Sequence, residues 1–266
     1  MYDHPKYANR LVLVDTPGFN DTDKSDMEIL QMISDWLKKT YVLLSCCMLL
    51  PFLKDRILFR YRKNIKLAGI VYLHKITDNR MAGTPHRNLR MFGQLCGDQA
   101  VKKVILVTTM WDEIKTWAGA QREHDLRIHY WRGMIEKGAL VARFRNTRQT
   151  AWKIIDMIIQ EPTAEVLLLQ EELVDLKLRL NETKAGIMLY SNLQELLVEQ
   201  QRTIYSLVEQ ARAQNDPILV SKLAAEYNRI EKEFQKTFSE MKRLQIPIGR
   251  RIILFFSKKS REATVS

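Results

Sequence analysis

The chain has 266 residues, 46% hydrophobic and 27% charged, with only 10 Gly and 7 Pro. This length suits one large domain or two small ones with a sizeable core, and this composition excludes a collagen-like or low-complexity chain. The formal net charge of +11 is uneven: residues 163–266 hold 16 Lys and Arg against 14 Asp and Glu, which leaves 26 against 17 in residues 1–162.

The first apolar run is Leu11, Val12, Leu13 and Val14, closed by Asp15, Thr16, Pro17 and Gly18. Four consecutive apolar residues before a turn predict a strand buried on both faces. Ser25 and Glu28 have capping-box spacing, and Ile29, Ile33, Trp36 and Leu37 continue at helical spacing, which predicts a helix over 23–39. Residues 67–73 read as a strand, 85–95 as a helix and 101–108 as a strand. Residues 113–137 read as mostly helical, 140–144 as a short strand and 149–159 as a helix. This alternation predicts an α/β unit with a largely parallel sheet.

After Pro162 the pattern changes. Val166, Leu169, Leu173, Leu176 and Leu180 step by three and four, and the ladder continues through Ile187, Tyr190, Leu197, Ile204, Val208 and Ala211. It predicts one helix of about 50 residues, roughly 75 Å long. Asn215, Asp216 and Pro217 break it, and Leu223, Tyr227, Ile230, Phe234, Phe238, Met241 and Leu244 mark a second helix. Two apolar helices around a tight break predict an antiparallel hairpin, with an intermolecular coiled coil as the alternative. The expected organisation is an α/β unit over 1–160, a helical hairpin or coiled coil over 163–246 and a tail over 247–266, disordered from 258 on.

The chemistry lies at two strand ends. An apolar strand running into Asp-x-x-Gly offers a carboxylate that holds Mg²⁺ through water and a glycine whose backbone N–H can approach a γ-phosphate. Asp15, Thr16 and Gly18 stand there. About ninety residues on, the strand 104–107 ends in Thr108, Thr109, Met110, Trp111 and Asp112. A carboxylate at that distance can accept from both N1–H and the exocyclic amine of guanine, a donor pair that adenine lacks. Asp112 is that residue. Met110 stands where the usual Asn/Thr-Lys-x-Asp pattern has lysine, and an apolar side chain there can still cover the base plane. The following strand ends near Asn146, where a backbone N–H can reach the guanine oxygen.

With the segments LVDTPGFNDTDKSDMEIL, LAGIVYLHKITDNRMAG and KKVILVTTMWDE, residues 11–159 resemble a G domain of the P-loop GTPase class, in its septin-like branch, as found in a group of fungal G-domain proteins. The resemblance implies GTP or GDP and Mg²⁺ as ligands, with Asp15, Thr16, Gly18, Thr109, Asp112 and Asn146 binding nucleotide and Asp15 the metal. It implies a P-loop NTPase-like, mostly parallel sheet with flanking helices, followed by the all-α hairpin. The implied strand order, 2-3-1-4-5-6, puts a phosphate-loop strand at the centre.

The phosphate-binding pattern G-x-x-x-x-G-K-[ST] is found nowhere in the sequence. The sheet is therefore expected to be incomplete, with residues 11–14 and 67–73 either paired directly or flanking a vacant slot. The expected function is guanine-nucleotide binding by a truncated or degenerate GTPase with little hydrolysis and no catalytic residue to assign. The alternative is a non-enzymatic interaction protein. Residues 41–66 are an insertion relative to the resemblance, apolar and then basic. Three readings fit them: a retained translated intron, a hydrophobic hairpin or helix, and a peripheral membrane contact. Self-association through the G domain or the helices is a further partner reading. Nucleic acid is not an expected partner, since no recognition motif accompanies the basic charge.

The cysteines add one boundary. Cys46 and Cys47 are adjacent and Cys96 stands alone, which fits neither a disulfide framework nor zinc spacing. A reducing, cytoplasmic location is expected, since residues 1–10 are polar and do not read as a signal peptide. Smaller candidates read more plainly. His124, His129, Tyr130 and Trp131 suggest helix packing. Arg80 suggests a loop ion pair with Asp78. Trp111 and Trp117 can each either cover a base or fill space.

Overall fold

The computed structural model describes residues 2–3, 10–19, 21, 23–41, 67–78, 84–159 and 166–250. Two short strands, β1 (Tyr2–Asp3) and β2 (Arg10–Leu11), pair antiparallel. The mixed part follows: α1 (Asp26–Tyr41), β3 (Ile70–Lys75), α2 (Thr84–Val101), β4 (Val104–Thr109), α3 (Thr116–Asp125), α4 (Arg132–Glu136), β5 (Leu140–Arg143) and α5 (Arg148–Ile159). Three helices close it: α6 (Leu168–Val174), α7 (Lys184–Arg212) and α8 (Pro217–Leu244). The expected α/β class holds at this level, with one small parallel sheet among many helices.

β3, β4 and β5 form that sheet in that order. β4 lies in the middle because Val104, Ile105, Leu106 and Val107 are apolar on both faces, and all four are buried. The β3–β4 and β4–β5 connections lie on one face, as right-handed crossovers require when the strand order runs one way. On that face Leu89, Met91 and Leu95 of α2, with Trp131 and Met134, pack against Val104 and Leu106. α5 covers the other face through Ile154, Met157 and Ile158 over Ile105 and Val107. β3 reaches further than residues 67–73, because His74 is buried edge-on against Trp131, their ring centroids 6.0 Å apart, and keeps the strand in the core.

The strand expected over 11–14 does not form beyond Leu11. Val12, Leu13 and Val14 have no regular structure and are 61%, 57% and 47% exposed. A strand needs a hydrogen-bonded neighbour, and among the described residues β3 has β4 alone beside it. Of the two arrangements expected, direct pairing of 11–14 with β3 is thus corrected, and among the described residues no strand lies along the other edge of β3. Its residues Val71 and Leu73 pair with Ile105 and Val107 and so share the face that α5 covers, yet α5 leaves Leu73 65% exposed.

α1 begins on the capping box read from the sequence. Glu28 N–H donates to Ser25 Oγ (3.3 Å) and Ser25 N–H to Glu28 Oε2 (2.9 Å). The single 50-residue helix is corrected. Its ladder splits into α6, a turn and α7, because polar contacts hold the turn against continuing the helix. Glu172 accepts from Lys184 N–H (3.0 Å to Oε2), and Thr183 caps α7 by accepting from Gly186 N–H (3.0 Å). Buried Glu182 accepts from Arg179 N–H (3.0 Å) and from Arg250 Nε (2.6 Å). α6 consequently packs on α1 and α2, while α7 and α8 form the expected hairpin across residues 213–216. The base of the hairpin joins the core through Leu189, Leu193 and Leu244, and Arg87 of α2 reaches Glu199 of α7 at 3.0 Å.

Arg250 first, and then Arg179 N–H, hold the Glu182 carboxyl below its ordinary value of 4.5. An acid with a lowered folded-state pKa stabilises the fold above its unfolded value and loses that contribution as pH falls through the folded one. Glu182→Gln is therefore expected to cost about 1–3 kcal/mol at neutral pH. In urea unfolding curves run towards acid, the variant and parent should converge.

Of the insertion expected over 41–66, Tyr41 ends α1 and residues 42–66 lie outside the described residues, as do Arg80 and residues 251–266.

Candidate functional site

The C-terminal ends of β3, β4 and β5 make one rim, and open α/β sheets bind ligands at such a rim. Thr109 closes β4, and its hydroxyl donates to the His74 carbonyl (3.4 Å). The chain leaves through Met110, whose φ of 60° lies in the left-handed region, into a single turn, Trp111–Glu113. Asp112 is exposed on that turn and makes no hydrogen bond or ion pair among the described residues. Asn146, exposed and also left-handed with φ 53°, follows β5. Thr147 then starts α5 by accepting from Thr150 N–H (3.2 Å). Thr109, Asp112 and Asn146 thus follow adjacent strand ends.

Asp15, Thr16 and Gly18 do not join them through the sheet. They are exposed on the irregular segment after β2, and no strand pairing carries them to the rim. A Cβ on Gly18 would meet nothing within 4 Å, so internal packing does not require glycine there. Phe19, next in sequence, packs against the main core. Among the described residues no three His, Cys, Asp or Glu gather to hold an ion.

Beneath the Asp112 turn lies a cluster with no sequence motif. The Trp111 indole N–H donates to the carbonyl (3.2 Å) and hydroxyl (3.0 Å) of Thr108. Gly119 lets α3 come this close, since a Cβ there would stand 2.9 Å from the indole. The Arg143 guanidinium lies over the Trp111 ring, 4.3 Å from its centroid, and donates through Nε to both oxygens of buried Glu123 (3.1 and 3.0 Å). Trp111 therefore fills space beneath the rim, while Trp117 is 73% exposed. The cluster fixes the turn that presents Asp112.

At the end of β3 burial lowers the His74 pKa, which Asp78 partly opposes. Arg122 bridges α3 to the β3 exit by donating to the carbonyls of Ile76 (3.0 Å) and Thr77 (2.8 Å). The helix packing expected of this group holds for Trp131, which is fully buried, and in part for half-buried Tyr130, but is corrected for His124 and His129, which are exposed. A one-turn π-helix, Leu126–Tyr130, turns Trp131 inward, with Trp131 N–H donating to the Leu126 carbonyl at 2.7 Å. Among the described residues no helix is long and apolar enough to cross a membrane.

No protein-family description, curated protein or solved structure matches the chain significantly. What the fold and rim define is a class of architecture, a small parallel α/β sheet with a helical hairpin.

Proposed function

We propose that the chain binds guanine nucleotide at the rim beyond β4 and β5 and hydrolyses it little. The observation that supports this most is the unengaged Asp112 carboxylate on an exposed turn one strand away from Asn146. In this reading Asp112 accepts from N1–H and the exocyclic amine of guanine. The turn at Asn146 supplies a backbone N–H to the guanine oxygen, and Met110, 38% exposed, lies over the base plane. The sequence has no glycine-rich phosphate cradle with its lysine, so phosphate contacts and catalytic positioning are weak.

Asp112→Ala removes two charge-assisted hydrogen bonds and is expected to weaken GTP binding at least about tenfold, with the preference over ATP lost. Calorimetric titration of GTP and ATP into parent and variant measures both effects. Equal affinity of the parent for GTP and ATP rejects the proposal, and phosphate release at ordinary GTPase rates rejects the hydrolysis part.

A second reading, a non-enzymatic interaction protein, draws on the far half of the hairpin, where Tyr205, Ile218 and Leu219 are exposed. A protein partner that covers exposed apolar side chains removes them from water, which favours association.

A further inference from the structure

A cavity of about 620 Å³ opens on the outer side of β5, between that strand, α5 and the π-helical turn. Its lining includes Arg127, Arg143, Arg145 and Lys153 and contains no Asp or Glu. Arg143 is neutralised by Glu123. The side chains of Arg127, Arg145 and Lys153 have no hydrogen-bonding or ionic partner among the described residues. Three unpaired cations around one hollow repel each other, and a bound anion relieves that repulsion.

The strand adds donors. Phe144 N–H donates to the Thr108 carbonyl, so alternate β5 residues turn towards β4. Val141 and Arg143 consequently direct their backbone N–H groups, together with their carbonyls, to the edge of β5 that has no strand beside it among the described residues. Ile154 and Met157 give the hollow an apolar wall. The volume lies within the range of small-molecule sites, about 300–1,000 Å³.

We propose that this cavity is a binding site for a small polyanion of the phosphate class, its charges held by Arg127, Arg145 and Lys153 and any organic part resting on Ile154 and Met157. The site is on the outer edge of β5; Arg143 in its lining also lies over Trp111 of the neighbouring turn, but Asp112 is not part of the lining, and the proposal does not depend on the nucleotide reading.

The test is calorimetric titration of the full chain with inorganic tripolyphosphate in physiological salt. The parent should bind one equivalent saturably. Arg127→Gln with Lys153→Gln should weaken binding at least about a hundredfold, about tenfold for each charge-assisted hydrogen-bonding group removed. Lys222→Gln with Lys232→Gln removes the same charge from exposed positions on α8 and should leave binding unchanged. Absence of saturable binding overturns the proposal. So does equal weakening by both double variants, which marks diffuse charge, or retained affinity in the Arg127/Lys153 variant. Binding of an oligoglutamate peptide in place of tripolyphosphate overturns it in favour of an acidic strand docked on the β5 edge.

Discussion

Gly186→Ala is expected to lower the unfolding free energy by about 3 kcal/mol and the melting temperature by roughly 5–10 °C. The position lies in the first turn of α7, where a Cβ would stand 1.9 Å from the Leu180 carbonyl oxygen and 3.1 Å from Asn181 Cα. Those are backbone atoms, so no side-chain rotation relieves the overlap, and the turn before α7 must move. That turn carries the Thr183 cap, the Lys184 N–H bond to Glu172 and the pairing of Glu182 with Arg250. The joint that ends α6 and starts the hairpin is thus strained as a unit. Gly133→Ala and Gly93→Ala are the controls, because a Cβ at either meets nothing within 4 Å. Each should be neutral or stabilising by up to about 1 kcal/mol, since alanine is the better helix former. Urea unfolding of the three variants separates a steric joint from a general intolerance of glycine replacement.

How much of this was legible follows from how far apart the deciding partners stand. Ser25 and Glu28 are three residues apart, so their capping box reads directly and the start of α1 falls within three residues of the expected one. The continuous apolar run of β4 made it legible as a strand, though not its place in the middle of the sheet, and the break at Asp216 and Pro217 gave the start of α8, where Asp216 caps Ile218 N–H. The break inside the supposed 50-residue helix was hidden, because Leu173, Leu176 and Leu180 keep the ladder while the break is imposed by Glu172 and by Glu182 with Arg250, 68 residues further on. Residues 11–14 look like a buried strand in composition, but a strand is defined by its neighbours, and composition does not supply one. At the rim, Thr109, Asp112 and Asn146 were visible because strand-end residues are local features. Glu123 and Arg143, 20 residues apart on different elements, carry no local signal, although they fix the turn that holds Asp112.

Their coupling leads to the other large effect: Arg143→Met is expected to cost roughly 3 kcal/mol in urea unfolding. Glu123 is 4% exposed, and beyond Arg143 its carboxylate has the Thr108 hydroxyl at 3.4 Å, so removing the guanidinium leaves a buried charge nearly uncompensated. The low end of the range for broken buried pairs applies, because the Arg143 side chain is 35% exposed and water can enter where it stood. Arg143→Met also removes the stacking on Trp111, worth about 0.5–1 kcal/mol at such a site. Adding Glu123→Gln to the same chain removes the unpaired charge and should recover about 1–2 kcal/mol, a coupling typical of residues in direct contact. A space-filling role would give the opposite pattern, with methionine nearly neutral and the second substitution adding its own loss. The turn supplies a separate readout. With no cation over its ring, Trp111 should show altered near-ultraviolet dichroism in Arg143→Met even under strongly native conditions, and the double variant should not restore it, because methionine replaces the charge over the indole in both.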